Sequence, residues 1–230
     1  MIIVKAEEVK EELLKEINDR EFSERVGVHC SDLIYCLNKQ VLRKALPLLP
    51  QEHSILLFSL GWSTQRWLTG KDKDEEPVEV DGILVTKDAL REGIPWELKA
   101  TFKSSTKVIE EEDSWLAQIK AQCYTMDVLE AYLSRVEIMG NWKSIFGKKE
   151  EKDFPENRKP TLSVFKLIFT KEELEDNWNW LLSRKKLYLK LLADFKKNNV
   201  LLPAALSLPI NHAWECGYCP NEYRKICLGE

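Results

Sequence analysis

Nothing in the sequence is built for a membrane. No apolar run approaches the ~20 residues that a spanning helix needs, and no basic segment followed by an apolar stretch opens the chain as a secretory leader would. Cytoplasm is therefore the expected compartment. A positive balance is lacking too: 34 lysines and arginines against 38 aspartates and glutamates leave a formal charge of −4. That argues against a globally basic nucleic-acid binder. It leaves room for a local basic groove, because an acidic metal site lowers the net charge by itself. Internal repeats and low-complexity tracts are absent. At 230 residues, 44% hydrophobic and 31% charged, the chain has the make-up of a soluble globular protein of one domain, or one domain with an elaboration. Against these absences the six cysteines stand out. In a chain without a secretion signal disulfides are not expected, so clustered cysteines point to metal.

The order of elements follows from periodicity. Residues 6–25 carry Val9, Leu13, Leu14 and Ile17 at helical spacing with charge on the other faces, which predicts a packed surface helix. Ser31 can cap a helix that would place Cys36 about one and a half turns in. Residues 54–70, mostly apolar, predict a buried helix ending near Gly70. A charged run at 71–76 then leads to two strands within 77–101. Asp113 can cap a helix over 114–130 that carries Gln118 and Gln122 one turn apart on one face. Strands at about 132–142 and 161–169 follow, separated by a lysine- and glutamate-rich loop. Thr170 and Glu173 form a capping box that opens a long amphipathic helix to about Asn198. After Pro203 and Pro209 the tail is expected to be irregular and held by its cysteines.

The stretch 77–101 carries the chemistry. On its second strand Trp96, Leu98 and Ala100 point one way, while Glu97, Lys99 and Thr101 point the other. Glu97 and Lys99 therefore share a face, about 7 Å apart along the chain. If Asp81 on the neighbouring strand reaches that face, two carboxylates and an ammonium converge. Hard oxygen ligands of this kind suit Mg²⁺ or Mn²⁺, which can activate water against a phosphodiester. An isolated Glu-x-Lys is more often an ordinary salt bridge on a solvated strand face, so its surroundings decide.

Three cysteines crowd the C-terminus: Cys216-x-x-Cys219, then Cys227. They cannot close a four-ligand site alone, so a fourth must come from elsewhere. Cys36 or Cys30 would staple the N-terminal region to the tail, whereas Cys123, inside a predicted helix, is expected to pack as a small hydrophobe. The candidates are an iron–sulfur cluster held by four thiolates and a tetrahedral zinc. With His212 the sole histidine nearby, the set leans towards iron–sulfur.

The order Ser31-Asp32-Leu33-Ile34-Tyr35-Cys36, an aspartate at 81, Glu97-x-Lys99, a glutamine-bearing helix and Cys216-x-x-Cys219-Pro220 with Cys227 resembles one family. It is similar to the CRISPR-associated Cas-four family of RecB-like nucleases, within the PD-(D/E)XK superfamily. The likeness runs from about residue 28 to 228. It implies an α/β, restriction-endonuclease-like fold, a mixed central sheet flanked by helices with an iron–sulfur-bound helical cap. A single nuclease domain would span residues 1–230. Its helical region at 28–70 would contribute Cys36, its catalytic core would lie at 77–198, and its tail at 203–230 would close the cluster. Cys36, Cys216, Cys219 and Cys227 would hold a [4Fe–4S] cluster, or [2Fe–2S] as in some members. Asp81 and Glu97, with the Leu98 carbonyl, would hold Mg²⁺ or Mn²⁺. Lys99 would position or deprotonate the attacking water, and Gln118 would orient the Lys99 ammonium or that water. The implied activity is exonuclease action on single-stranded DNA ends, 5′ to 3′, with CRISPR adaptation proteins as partners in prespacer processing.

The sequence departs from the family in three places. Its first motif usually ends in a metal-binding histidine four residues after a glycine, and here Gly61 is followed by Gln65. Gln65 can still offer a carbonyl oxygen to the metal. The family's Gln-x-x-x-Tyr pattern reads Gln118 to Gln122, with Tyr124 two residues on, and Cys36 is followed by Leu37-Asn38 in place of Pro-Arg. Tyr124, by stacking a base, and Lys103 are candidate DNA contacts; the basic run Arg184 to Lys186 could track phosphates. Two rival readings remain: a DNA- or partner-binding module with weakened nuclease activity, and a zinc-stabilised interaction protein.

Overall fold

Between residues 78 and 101 the chain makes two successive hairpins where two strands were expected. The computed structural model describes residues 5–22, 25–71, 76–101, 108–138, 160–209 and 212–229. Strands β1 (Val78–Val80) and β2 (Ile83–Val85) pair antiparallel as a small sheet of their own. Strands β3 (Ala89–Arg91) and β4 (Ile94–Thr101) form the second hairpin, which opens a four-stranded sheet with β5 (Glu130–Glu137) and β6 (Thr161–Ile168) in the order β3-β4-β5-β6. Both hairpins turn through two residues at positive φ, Asp81-Gly82 (50° and 66°) and Glu92-Gly93 (55° and 81°). Turns of this hand match the natural strand twist, and glycine at the second position bears the conformation without strain.

The larger sheet is mixed. β4 and β5 run parallel while the outer pairs are antiparallel, so β4 and β5 need a crossover, and helix α5 (Asp113–Met126) supplies it. Ile119 and Cys123 of α5 are buried against Ala131 and Leu133 of β5. The long helix α6 (Lys171–Asn198) starts on the expected box: Thr170 Oγ1 accepts from the Glu173 N–H at 3.2 Å and the Glu173 carboxylate from the Thr170 N–H at 2.8 Å. Its Trp178 and Leu181 pack with Leu33, Leu37, Ile83 and Val85 in the main core. Burial of one such leucine contributes about 1.5–3 kcal/mol. The result is a mixed sheet flanked by helices.

Several expectations need correction. The first helix, α1 (Glu7–Glu21), leaves Val9 and Leu13 half exposed. Ser31 is not a cap: α2 (Cys30–Ile34) starts from His29, whose N–H donates to Asp32 at 3.0 Å. The helix then breaks at Tyr35, and Cys36 becomes the N-cap of α3 (Leu37–Ala45) rather than a residue inside a continuous helix. Helix α4 (Glu52–Thr69) ends as expected at Gly70, left-handed at φ 67°. Only Ile55 of it is buried, however, because α4 packs at the edge, on β4 and α1. The tail is more regular than expected, with a short α7 (Ala204–Ser207), a 3₁₀ segment (Ala213–Tyr218) and α8 (Asn221–Leu228). Arg184 belongs to no phosphate track; it is buried and its guanidinium donates to the carbonyls of Leu33 and Tyr35. Among the described residues no helix is long and apolar enough to cross a membrane.

Candidate functional site

Strand β4 alternates as its sequence predicts. Trp96 turns away and donates from Nε1 to Ser134 Oγ at 2.8 Å, while Glu97 and Lys99 face the α5 side. Glu97 is fully buried. One of its oxygens accepts from the Lys99 ammonium and the other from Gln122 Nε2 at 2.6 Å. A buried carboxylate needs such partners to offset its lost hydration. Gln118, one turn before Gln122, accepts from Lys99 Nζ at 3.3 Å. Burial works against the Lys99 charge, but Glu97 and then Asp88 outweigh it, with a smaller contribution from Tyr35, and hold the ammonium above the usual lysine range. The Lys99 side chain keeps 22% of its surface exposed, so the pair is open on one side.

The aspartate that the structure brings beside Glu97 and Lys99 is Asp88, and Asp81 lies elsewhere. Asp81 occupies the β1–β2 turn, where its carboxylate accepts from Trp178 Nε1 at 2.9 Å and its carbonyl from Lys185. Turn geometry points it at α6 and holds it there. Asp88 immediately precedes β3 and accepts from the Leu98 N–H at 2.7 Å. The β3–β4 ladder stops at the Ala89–Trp96 pair, so at Leu98 the side chain of Asp88 stands where a strand would continue. Within a strand the N–H and C=O of one residue face the same neighbour, so the Leu98 carbonyl faces Asp88 as well. Gln65 of α4 joins this edge, donating from Nε2 to the Asp88 carbonyl at 3.4 Å.

Two further residues were missed. Gln122 is fully buried and spends both amide protons, on Glu97 and on the Thr86 carbonyl at 3.0 Å. Among the described residues its Oε1 is buried with no hydrogen-bond partner. Arg135 lies beside Lys99 in the parallel register and pairs with buried Glu137 at 2.6 Å, extending the charged line onto β5. Its Arg-x-Glu spacing on a strand was the available signal. Tyr124 is less suited to stacking a base, because Trp178 already covers one face of its ring, centroids 4.6 Å apart. Lys103 lies outside the described residues.

The four cysteines of the split set line one cavity, which is partly open to solvent. Cys36 enters from the start of α3, Cys216 and Cys219 from the 3₁₀ segment and its end, and Cys227 from α8. The Cys36 N–H donates to Glu215 at 3.0 Å, and the other oxygen of Glu215 pairs with His212 Nδ1 at 2.8 Å. Burial raises the Cys36 thiol and pushes Cys219 up to about 11. Cys30 and Cys123 stand apart, each buried in a hydrophobic cluster. Among the described residues no three histidine, cysteine or acidic side chains draw together closely enough for a single metal ion.

No family model and no curated protein matches the chain. Among solved structures, the crystal structure of SSO0001 superposes with a TM-score of 0.53 over 92% of both chains at 15% identity. A phage related exonuclease from Haemophilus somnus 129PT superposes with a TM-score of 0.44 over 75% of this chain and 97% of its own, at 13% identity. The likeness to SSO0001 is one of fold, and it spans nearly the whole chain.

Proposed function

We propose that this protein is a metal-dependent nuclease that acts on single-stranded DNA ends and carries a structural iron–sulfur cluster. The observation that carries the reading is the convergence of Asp88, Glu97 and Lys99 at the point where β3 leaves β4. The donor set fits Mg²⁺ or Mn²⁺, which commonly take one or two carboxylates and keep several waters. Asp88, Glu97, the Leu98 carbonyl and Gln65 would hold the ion. The unpartnered Gln122 oxygen beside Glu97 is a further hard donor for the ion or its water. Bound there, the ion would activate water and offset charge on the scissile phosphate.

The chain's own groups divide the remaining work. Gln122 fixes the rotamer of Glu97, and Gln118 aims Lys99. Lys99, whose ammonium Glu97 and Asp88 favour, would position the attacking water and offset charge on the phosphate. For the cysteines, four thiols around one cavity, with no histidine among them, suit an iron–sulfur cluster held by four thiolates. That cluster would tie α3 to the tail. The 5′ to 3′ polarity and a part in CRISPR prespacer processing rest on the family resemblance.

The test is anaerobic purification, measurement of iron and of absorbance near 400 nm, and incubation with end-labelled single-stranded DNA and Mn²⁺ or Mg²⁺. The expected outcome is a brown protein that shortens the DNA only with added metal, and loses iron when Cys36, Cys216, Cys219 or Cys227 becomes alanine but not when Cys30 or Cys123 does. A colourless protein holding zinc would replace the cluster with the zinc reading. One observation favours a binding module that has lost cleavage: both Glu97 oxygens are already engaged. Tight DNA binding with no metal-dependent cleavage would establish that reading.

A further inference from the structure

A buried asparagine needs a reason. Asn38, at the second position of α3, is completely buried, and two residues earlier stands Cys36. A carboxamide offers two N–H donors and one carbonyl oxygen, and leaving them unpaired in a core costs about 1–3 kcal/mol each. Here the partners fix its orientation. Oδ1 accepts from the Leu202 N–H at 3.2 Å, and Nδ2 donates to the Leu202 carbonyl at 2.7 Å. Exchanging the two ends would set donor against donor and acceptor against acceptor, so the assignment stands. With one Nδ2 proton spent on Leu202, the other is aimed at Cys227 Sγ, 3.2 Å away.

The neighbouring contact differs in kind. Cys36 Sγ lies 3.3 Å from Ser207 Oγ, but the single hydroxyl proton of Ser207 already goes to the Ala204 carbonyl at 2.8 Å. Ser207 must give up one bond to donate to sulfur. Asn38 gives up nothing. We infer that Asn38 is a positioning residue for the cysteine site, holding Cys227 in register with α3 through Leu202 and setting the charge on its sulfur through a committed N–H donor. This inference rests on the iron–sulfur reading above. A donor to a ligating sulfur stabilises the more electron-rich state, so hydrogen bonds of this kind raise a cluster's reduction potential. The relevant step is the one-electron couple of the cluster, with dithionite as the reductant in the assay.

The experiment is a potentiometric titration of anaerobically purified full-length protein, followed by electron paramagnetic resonance, for wild type, Asn38→Leu and Asn38→Asp. Val41→Ala, a buried cavity-forming change on the same helix at a residue that does not line the cysteine cavity, is the stability control. Asn38→Leu is expected to keep iron and shift the potential negative. Asn38→Asp keeps the oxygen for the Leu202 N–H, replaces the donor by an acceptor, and should shift it further. It is the deciding variant if Asn38→Leu does not fold. Val41→Ala should lower the melting temperature and leave the potential unchanged. An unchanged potential in a folded, iron-loaded Asn38 variant, or a shift matched by Val41→Ala, overturns the inference. Failure of both Asn38 variants to hold iron while Val41→Ala holds it would also overturn it, reducing Asn38 to a folding role. Absence of iron from the wild-type protein would instead overturn the cluster reading itself.

Discussion

The two hairpins between residues 78 and 101 are built alike and do different work. Each turns through two residues ending in glycine, each has three-residue pairing, and each has an aspartate. In the first, the aspartate is part of the turn, at φ 50°, and its carboxylate is spent on Trp178 of α6. In the second, the turn position is held by Glu92, while the aspartate sits at the far end, where the strand begins. There its carboxylate replaces a missing rung of the ladder and stands beside Glu97 and Lys99. An aspartate at a tip can only brace what lies beyond the tip. One at the mouth of a hairpin faces the sheet edge, where the freed backbone of the partner strand adds its own donor and acceptor.

The sharpest way to break this distinction is to remove each aspartate in turn. Asp88→Ala and Lys99→Ala should each reduce metal-dependent cleavage by about 10²–10³-fold or more, since each removes a group acting at the reacting phosphate. DNA affinity and the melting temperature should change far less. Single-turnover cleavage of end-labelled DNA with each variant is the measurement, and full activity in Asp88→Ala would return the site to Asp81.

How much of this was legible in the sequence follows from the same pair. The alternation that puts Glu97 and Lys99 on one face needs only the two-residue period of a strand, and it holds. The capping box at Thr170, the end of α4 at Gly70 and the glutamines of α5 are equally local, and the structure places them where their residue types dictate. The hairpin at Asp81 was legible too: Asp-Gly between apolar residues is a strong short-range turn signal. Reading Asp81 as a ligand passed over that signal. What local pattern could not supply is which elements meet. That Asp88 would replace a rung at Leu98, that Gln122 would reach Glu97, and that α4 would lie at an exposed edge all depend on where β3 stops and what α5 covers.

Titration sharpens the comparison next. The Lys99 ammonium is held above the ordinary lysine value of about 10.4 by Glu97 and Asp88. The stabilisation it draws from them is therefore fully present below that value and is lost only as pH rises through the higher folded value. Asp88→Asn and Glu97→Gln each remove one of those charges, so the loss should be smaller and be complete at lower pH than in the wild type. Asp81→Asn should leave the profile unchanged. Urea midpoints between pH 7 and 11 check this, and a wild-type profile in Asp88→Asn would show that Asp88 does not act on Lys99.

Around the second hairpin the effects should fall with distance from the carboxylates. Gln118→Ala removes one of the two hydrogen-bond partners that Lys99 has among the described residues and is expected to slow cleavage about tenfold. Gln65 donates to the backbone carbonyl of Asp88 at the edge of the site, so Gln65→Ala should cost less. Gln65→His, which adds a nitrogen ligand suited to softer ions, should preserve or raise cleavage with Mn²⁺ relative to Mg²⁺. Rates that do not respond to either Gln65 change, with either metal, would place α4 outside the reaction.

The smallest effect is expected at Asp81, and it is the most diagnostic because the two hairpins predict opposite results for the same kind of change. Asp81→Asn keeps a side-chain oxygen for the Trp178 N–H, and asparagine tolerates the left-handed turn as readily as aspartate. Stability should stay within about 0.5 kcal/mol of wild type, the range of a benign surface change. Asp81→Ala removes that acceptor and leaves the N–H of a buried indole without its partner, at about 1 kcal/mol. Neither variant should alter cleavage or its metal dependence. The matching change in the other hairpin, Asp88→Asn, keeps an oxygen for the Leu98 N–H but discards the charge that the proposed metal would need and that Lys99 faces, so it should fold normally and fail to cleave. A functional Asp88→Asn beside a dead Asp81→Asn would reverse the roles assigned to the two turns.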